Sequence, residues 1–313
     1  MRFATSIGMC VVLVLVLTSV RAADRDGEVK VNQVRFVGVK RVSKKELART
    51  LAARTPPSWR FWAEKKLVTE QDLEDDLVRI RQFYRARGYY QTECSYQISP
   101  KEIQEARDGQ PRRQNDDALS QVTVTFIIEE GPPVIVEGIL LAVDDADNMP
   151  ASFSWKELYS QLQLQRGDVF VQAKYDETKR KLQKYLGNNG YPAPQLEAEV
   201  KIYLAQNEAR ISLNLQPGLR CRFGELTISG NDGYVKLAII RQAMAFRTGA
   251  LYSDRKLAIS QRNLFNLGIF SVARVTTQPI RPDTKTVPVL VEVKPRKRQR
   301  LQLGIGYGTE DGA

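Results

Sequence analysis

The stretch Val287-Pro288-Val289-Leu290-Val291-Glu292-Val293-Lys294-Pro295 decides the fold. Valine recurs at every second position until a proline ends the run, which marks a β-strand with one buried face. Two upstream stretches repeat the plan. Val122, Val124, Phe126 and Ile128 alternate up to Gly131-Pro132-Pro133, and Ile211, Leu213 and Leu215 alternate up to Pro217-Gly218. Upstream of each lies another strand, predicted over residues 92–98, 197–204 and 271–277.

Before each of those strands comes a polar helical stretch that ends on glycine and a bulky residue: Gly88-Tyr89-Tyr90, Gly190-Tyr191-Pro192 and Gly268-Ile269-Phe270. Leu73, Leu77, Ile80 and Tyr84 follow at steps of 4, 3 and 4, which places them on one helix face, with glycine as the left-handed cap. Leu182, Tyr185 and Leu186 serve the second helix, and Leu257, Leu264 and Phe265 the third. Shorter helices are predicted over 44–53, 154–164 and 234–246, the first with Ser43 and Glu46 as a capping box.

Each unit opens on a strand with an irregular step: Val31-Val34-Phe36-Gly38, Val136-Ile139-Leu141-Val143 and Phe223-Leu226-Ile228-Gly230. From strand start to helix-ending glycine the distances are 57, 54 and 45 residues, so three units of one plan follow one another. The fold class is α+β, a tandem repeat of three small β-α-α-β-β domains, each a three-stranded mixed sheet with two helices on one face. The last strand pairs on both sides. The one before it is left as an edge with unpaired N–H and C=O groups.

The domains are predicted at 23–133, 134–218 and 219–295. The first departs from the others by Pro56-Pro57-Ser58-Trp59-Arg60-Phe61-Trp62, read as an inter-helix connection packed on the core, with a partner-binding patch as the competing reading. Its glycine-to-breaker distance is 43 residues against 28 and 27, and the excess falls in a polar loop over 100–120.

Residues 1–22 read as a signal peptide cleaved after Ala22: a positive start at Arg2, an apolar run over 7–20, and small residues at Val20 and Ala22. That run is shorter than the ~20 residues of a spanning helix. Cys94 and Cys221 stay in the exported chain, 127 residues apart in different domains, and read as free thiols. Losing Arg2 and Arg21 takes the net charge from +11 to +9, dispersed except near the C-terminus. Export and dispersed charge speak against nucleic acid.

Zero histidine among 313 residues removes imidazole-based triads and imidazole-ligated metals. Asp75-Asp76, Glu129-Glu130 and Asp144-Asp145 are adjacent pairs whose side chains diverge, and they read as solvated charge. No Gly-rich phosphate loop or nucleophile motif occurs. No cofactor, metal or small-molecule substrate is expected, and no enzymatic activity.

The end of the chain is denser in charge. Lys294-Pro295-Arg296-Lys297-Arg298-Gln299-Arg300 holds five basic residues in seven and runs into the alternating Leu301-Gln302-Leu303-Gly304-Ile305-Gly306-Tyr307-Gly308. Arg296, Lys297, Arg298 and Arg300 suit anionic head groups beside a barrel strand; a solvated linker is the equal alternative.

Three such units, the stretch Glu64 to Leu73 leading to Arg79-Ile80-Arg81-Gln82-Phe83-Tyr84-Arg85-Ala86-Arg87-Gly88-Tyr89-Tyr90, and Leu303-Gly304-Ile305-Gly306-Tyr307-Gly308-Thr309 together resemble the Omp85 family of outer-membrane assembly proteins. The units resemble its POTRA domains, and 296–313 resembles a basic linker and the opening of a first barrel strand. Three units are similar in number to the TamA branch; the second departs most, with Val143 where its neighbours have glycine. The resemblance implies a periplasmic arm at the outer membrane of a Gram-negative-type bacterium, binding unfolded outer-membrane proteins or accessory subunits of TamB-like or Bam type, with outer-membrane lipid near its end. The mechanism that suits the strands is β-augmentation at sheet edges. Candidate residues are Cys94, Tyr96 and Ile98 in the first domain, Val200, Ile202 and Leu204 in the second, and Val272 and Arg274 in the third. A standalone periplasmic adaptor of three such domains is the alternative.

Overall fold

The computed structural model describes residues 29–53, 67–100, 121–146, 149–151, 153–231, 233 and 235–296. Its first domain runs β1 (Val29–Val37), α1 (Lys44–Thr50), β2 (Leu67–Val68), α2 (Glu70–Arg85), β3 (Glu93–Pro100) and β4 (Gln121–Glu129). The second runs β5 (Ile135–Val143), α3 (Trp155–Tyr159), α4 (Gln172–Asn188), β6 (Gln195–Tyr203) and β7 (Glu208–Gln216). The third runs β8 (Arg222–Ser229), α5 (Leu237–Ala243), α6 (Asp254–Asn266), β9 (Phe270–Thr277) and β10 (Thr286–Pro295). One compact unit carries the first sheet, and another carries the second and third. The predicted signal peptide, the aromatic run at 56–62, the loop at 101–120 and the tail beyond Arg296 lie outside the described residues.

The alternating strands occupy the sheet centres, in the orders β2-β1-β4-β3, β5-β7-β6 and β8-β10-β9. Each central strand pairs parallel to the first strand of its domain and antiparallel to the strand just before it. The first sheet gains a strand that the sequence pattern did not show, the two-residue β2 against the start of β1. Elsewhere single bridges, Ile135 to Val169 and Arg222 to Leu251, cover the corresponding start of the first strand. The irregular step of three is a β-bulge: register shifts between Val31 and Gln33, between Val136 and Gly138, and where Phe223 to Leu226 faces Val287 to Val289.

Burial follows the alternation. Val287, Val289, Val291 and Val293 are all at most 3% exposed, and a fully buried valine stabilises by roughly 1.5–3 kcal/mol. In α2 the predicted face is buried at Leu73, Leu77, Ile80 and Tyr84. In α6 only Leu264 of the adjacent pair is buried; Phe265 is 72% exposed, because neighbours on a helix point about 100° apart. The helix-ending glycines hold positive φ of 92°, 103° and 69°. At Gly38 and Gly230 positive φ coincides with a close approach, since a Cβ would stand 2.0 Å from the Ile128 carbonyl oxygen or 2.3 Å from that of Val293. The second domain has no such glycine because β5 continues through Val143 and the left-handed turn falls on Asp145, at φ 54°.

The first helices are shorter than predicted, and one polar position explains each end. The seventh residue of the second helix accepts backbone N–H groups that would otherwise stay helical. Asp76 takes those of Ala52 at 2.7 Å and Ala53 at 2.9 Å, the Thr178 hydroxyl that of Gln163 at 2.9 Å, and the Ser260 hydroxyl that of Ala245 at 2.8 Å. All three side chains are buried. Asp76 therefore is not solvated charge. Neither is Glu130, which is 8% exposed and accepts from the N–H groups of Lys40 and Arg41 and from the Tyr84 hydroxyl. Burial alone would raise its pKa; the bonds from Arg41, Lys40 and Tyr84 outweigh this and hold it below the ordinary carboxylate value.

Within the second unit the two domains are bonded through helix ends. The Asn188 side-chain oxygen accepts from Arg255 N–H at 2.8 Å and the Ser253 hydroxyl at 3.4 Å, so the last residue of α4 caps the start of α6. The Cys221 N–H donates to the Gly190 carbonyl at 2.7 Å.

Candidate functional site

An edge strand is a site because its backbone is. In an L-residue strand, a side chain turned to one face fixes the edge toward which its N–H and C=O point, so alternate residues offer their backbone to one side. β3, β6 and β9 are equivalent second strands, each with one edge on the central strand and the helices on the same face. Their helix-facing residues therefore carry the outward N–H and C=O groups.

In β3 these are Cys94, Tyr96 and Ile98, opposite Ile128, Phe126 and Val124. Cys94 and Tyr96 pack on the first core, while Ile98 is 44% exposed near the strand end. The Cys94 thiol donates to the Leu77 carbonyl at 3.5 Å, and burial pushes its pKa up. Cys94 and Cys221 are both free thiols. An open groove of about 310 Å³ runs between α2 and the entry to β3, lined by Val78, Arg81, Gln82, Arg85, Tyr90 and Thr92 among others.

β6 is the longest of the three edges, nine residues with strict alternation of exposed and half-buried positions. Val200 and Ile202 are on the helix-facing register with Leu196 and Ala198, opposite Ile211, Ala209, Leu215 and Leu213. Leu204 lies one residue beyond the strand and is exposed. The solvent face shows Glu197, Glu199 and Lys201, charges that suppress uncontrolled edge pairing. A groove of about 280 Å³ separates β6 from α4, lined by Asp176, Lys179, Arg180, Gln183 and Leu196. Among the described residues no side chain bonds the backbone of β6; the Gln183 amide reaches only the Pro194 carbonyl before it, at 3.5 Å.

In β9 both candidate residues lie within the strand. Val272 and Arg274 are exposed on the sheet's outer face, and Ala273 and Val275 pack on the core. The cause is a bulge at the strand start, where Phe270 faces Pro295 and Val272 faces Lys294. The outward backbone groups thus belong to Ala273 and Val275, and two of them, the Ala273 carbonyl and the Val275 N–H, are occupied. The Gln261 amide of α6 donates to the Ala273 carbonyl and accepts from Val275 N–H at 2.6 Å. Sequence reasoning missed Gln261, since a polar residue on a helix carries no sign of the strand edge beneath it. Of the basic run, Arg296 is exposed and its N–H donates to the Ile269 carbonyl at 2.8 Å, whereas Lys297, Arg298 and Arg300 lie outside the described residues.

Tandem β-α-α-β-β domains whose second strands lie at sheet edges define a modular strand-presenting chain. The chain belongs to the POTRA family, "Surface antigen variable number repeat", whose model matches residues 29–131, 151–218 and 221–296. Among curated relatives, the outer membrane protein assembly factor BamA of Buchnera aphidicola subsp. Acyrthosiphon pisum is 19% identical over 286 residues, covering 91% of this chain and 43% of its own length. The BamA of Neorickettsia risticii is 24% identical over 284 residues, covering 90% of this chain and 35% of its own. This chain thus spans less than half the length of these relatives. The crystal structure of Haemophilus influenzae BamA POTRA3-5 matches with a TM-score of 0.50 at 20% identity, over 85% of this chain and 96% of that one, a likeness of fold.

Proposed function

We propose that this chain is the periplasmic arm of an outer-membrane protein assembly factor, and that it receives extended segments of unfolded outer-membrane proteins or of accessory subunits as an added strand. The observation that carries this reading is the open β6 edge, nine residues long and flanked by a groove. Main-chain hydrogen bonds supply affinity with little demand on sequence, which suits a receiver of many different β-strands. The β3 edge with its own groove offers a second such position. At the end of the chain, the basic run Arg296, Lys297, Arg298 and Arg300 would lie toward anionic head groups, worth about 1 kcal/mol per charge at a strongly anionic surface.

The test is a photocrosslinker in place of the exposed Glu199, presented with an urea-unfolded outer-membrane barrel protein. Crosslinks from Glu199 that are competed by an alternating valine–threonine peptide are expected. Crosslinks that the peptide leaves untouched would overturn edge pairing.

A further inference from the structure

The eighth residue of the second helix lies beside the edge strand in all three domains, and its chemistry differs in each. In the first domain it is Leu77, in the second Lys179, in the third Gln261. Leucine offers the strand no polar side-chain atom. Lysine has donors but no acceptor, and Lys179 is turned away to Asp176 at 2.8 Å, over the Tyr175 ring. Glutamine carries a donor and an acceptor on one planar amide, the same pair that a peptide group presents.

Gln261 uses both. Its Nε2 donates to the Ala273 carbonyl while its Oε1 accepts from Val275 N–H. One residue of a parallel partner strand would make the same two bonds, donating to residue i and accepting from residue i+2. We propose that Gln261 closes the free edge of the third domain from within, so that strand addition is restricted to β3 and β6. The restriction to β3 and β6 rests on edge pairing as proposed above; the closure of β9 stands without it. An added strand could pair with β9 only after Gln261 gave up both bonds. The same edge is also protected from indiscriminate pairing, the hazard that every exposed strand carries.

The test uses the full chain labelled with nitrogen-15, as wild type, Gln261→Ala and Gln261→Glu, with an alternating valine–threonine peptide of nine residues as probe. Without peptide, Val275 N–H in Gln261→Ala should exchange about tenfold faster than in wild type, the weight of one lost hydrogen bond, while Val289 in the sheet centre keeps its wild-type rate. Gln261→Glu keeps the shape and the acceptor but cannot donate to Ala273 and sets a carboxylate against that carbonyl, so it should also weaken the closure; it carries the test if Gln261→Ala loosens Val289 as well. With peptide, wild type should shift amides of β3 and β6 only, and Gln261→Ala should add Ala273 and Val275. Unchanged Val275 exchange in both variants, or peptide shifts in β9 of the wild type, overturns the closure. A peptide that shifts neither β3 nor β6, beside a Val275 that still responds to Gln261→Ala, overturns edge pairing and leaves the closure standing.

Discussion

β6 and β9 are the same strand of the same repeat, and they meet solvent in opposite conditions. Both pair antiparallel with an apolar central strand, and both turn alternate backbone groups away from it. At β9 a glutamine occupies two of those groups, while at β6 the equivalent lysine pairs with Asp176 of its own helix beside a groove. One side chain thus distinguishes a bonded edge from an unbonded one without any change in topology. Under the proposed edge pairing, what the second helix places over each edge would decide which domains receive a strand.

Four substitutions or conditions break or sharpen this contrast. Ile202→Pro removes an outward N–H of β6 while leaving the ladder to β7, so peptide affinity at β6 should fall by more than about tenfold, from the lost bond and the ring's obstruction of an added strand; calorimetry on the full chain measures it. Next in size, Lys179→Gln should copy the third domain into the second, closing β6 against Leu196 and Ala198 and weakening the peptide there about tenfold. Shifts confined to β3 after adding peptide to that variant would show the transfer. A smaller effect is expected at Asn188→Ala, which strips α6 of its cap from α4 and should cost about 1 kcal/mol in urea unfolding of the third domain.

The smallest is a matter of pH, and it separates the first domain from the other two. Glu130 has a folded-state pKa below its ordinary value of 4.5. Its stabilisation is complete above the unfolded value and is lost as pH falls through the lower folded value. Acid titration of amide shifts should therefore loosen the Lys40 and Arg41 turn before the cores of the second and third domains, and Glu130→Gln should flatten that response.

Much of this was legible in the sequence, for a physical reason. The valines of β10 and the step of three in each first strand are dictated by local geometry, because alternation and bulges leave their period in the chain itself. The edge position of β3 and β6 followed from the repeat plan. The face that Val272 and Arg274 take was not legible, because the bulge at Phe270 reverses the parity of β9 and only the partner strand fixes the register. Asp76 and Glu130 misled because a carboxylate is buried only when distant backbone donors converge on it, and those of Ala52, Ala53, Lys40 and Arg41 come from 23 to 90 residues away. Gln261 was invisible for the same reason: polar on a helix, it reads as solvated until the edge of β9 lies beneath it.

The most direct test is paramagnetic broadening of the nitrogen-15-labelled full chain by a spin-labelled nine-residue strand peptide. Broadening of amides along β3 and β6, with β9 silent, is the expected pattern. Broadening of β9 equal to that of β6, or broadening confined to helix surfaces, would contradict edge pairing controlled by the second helix.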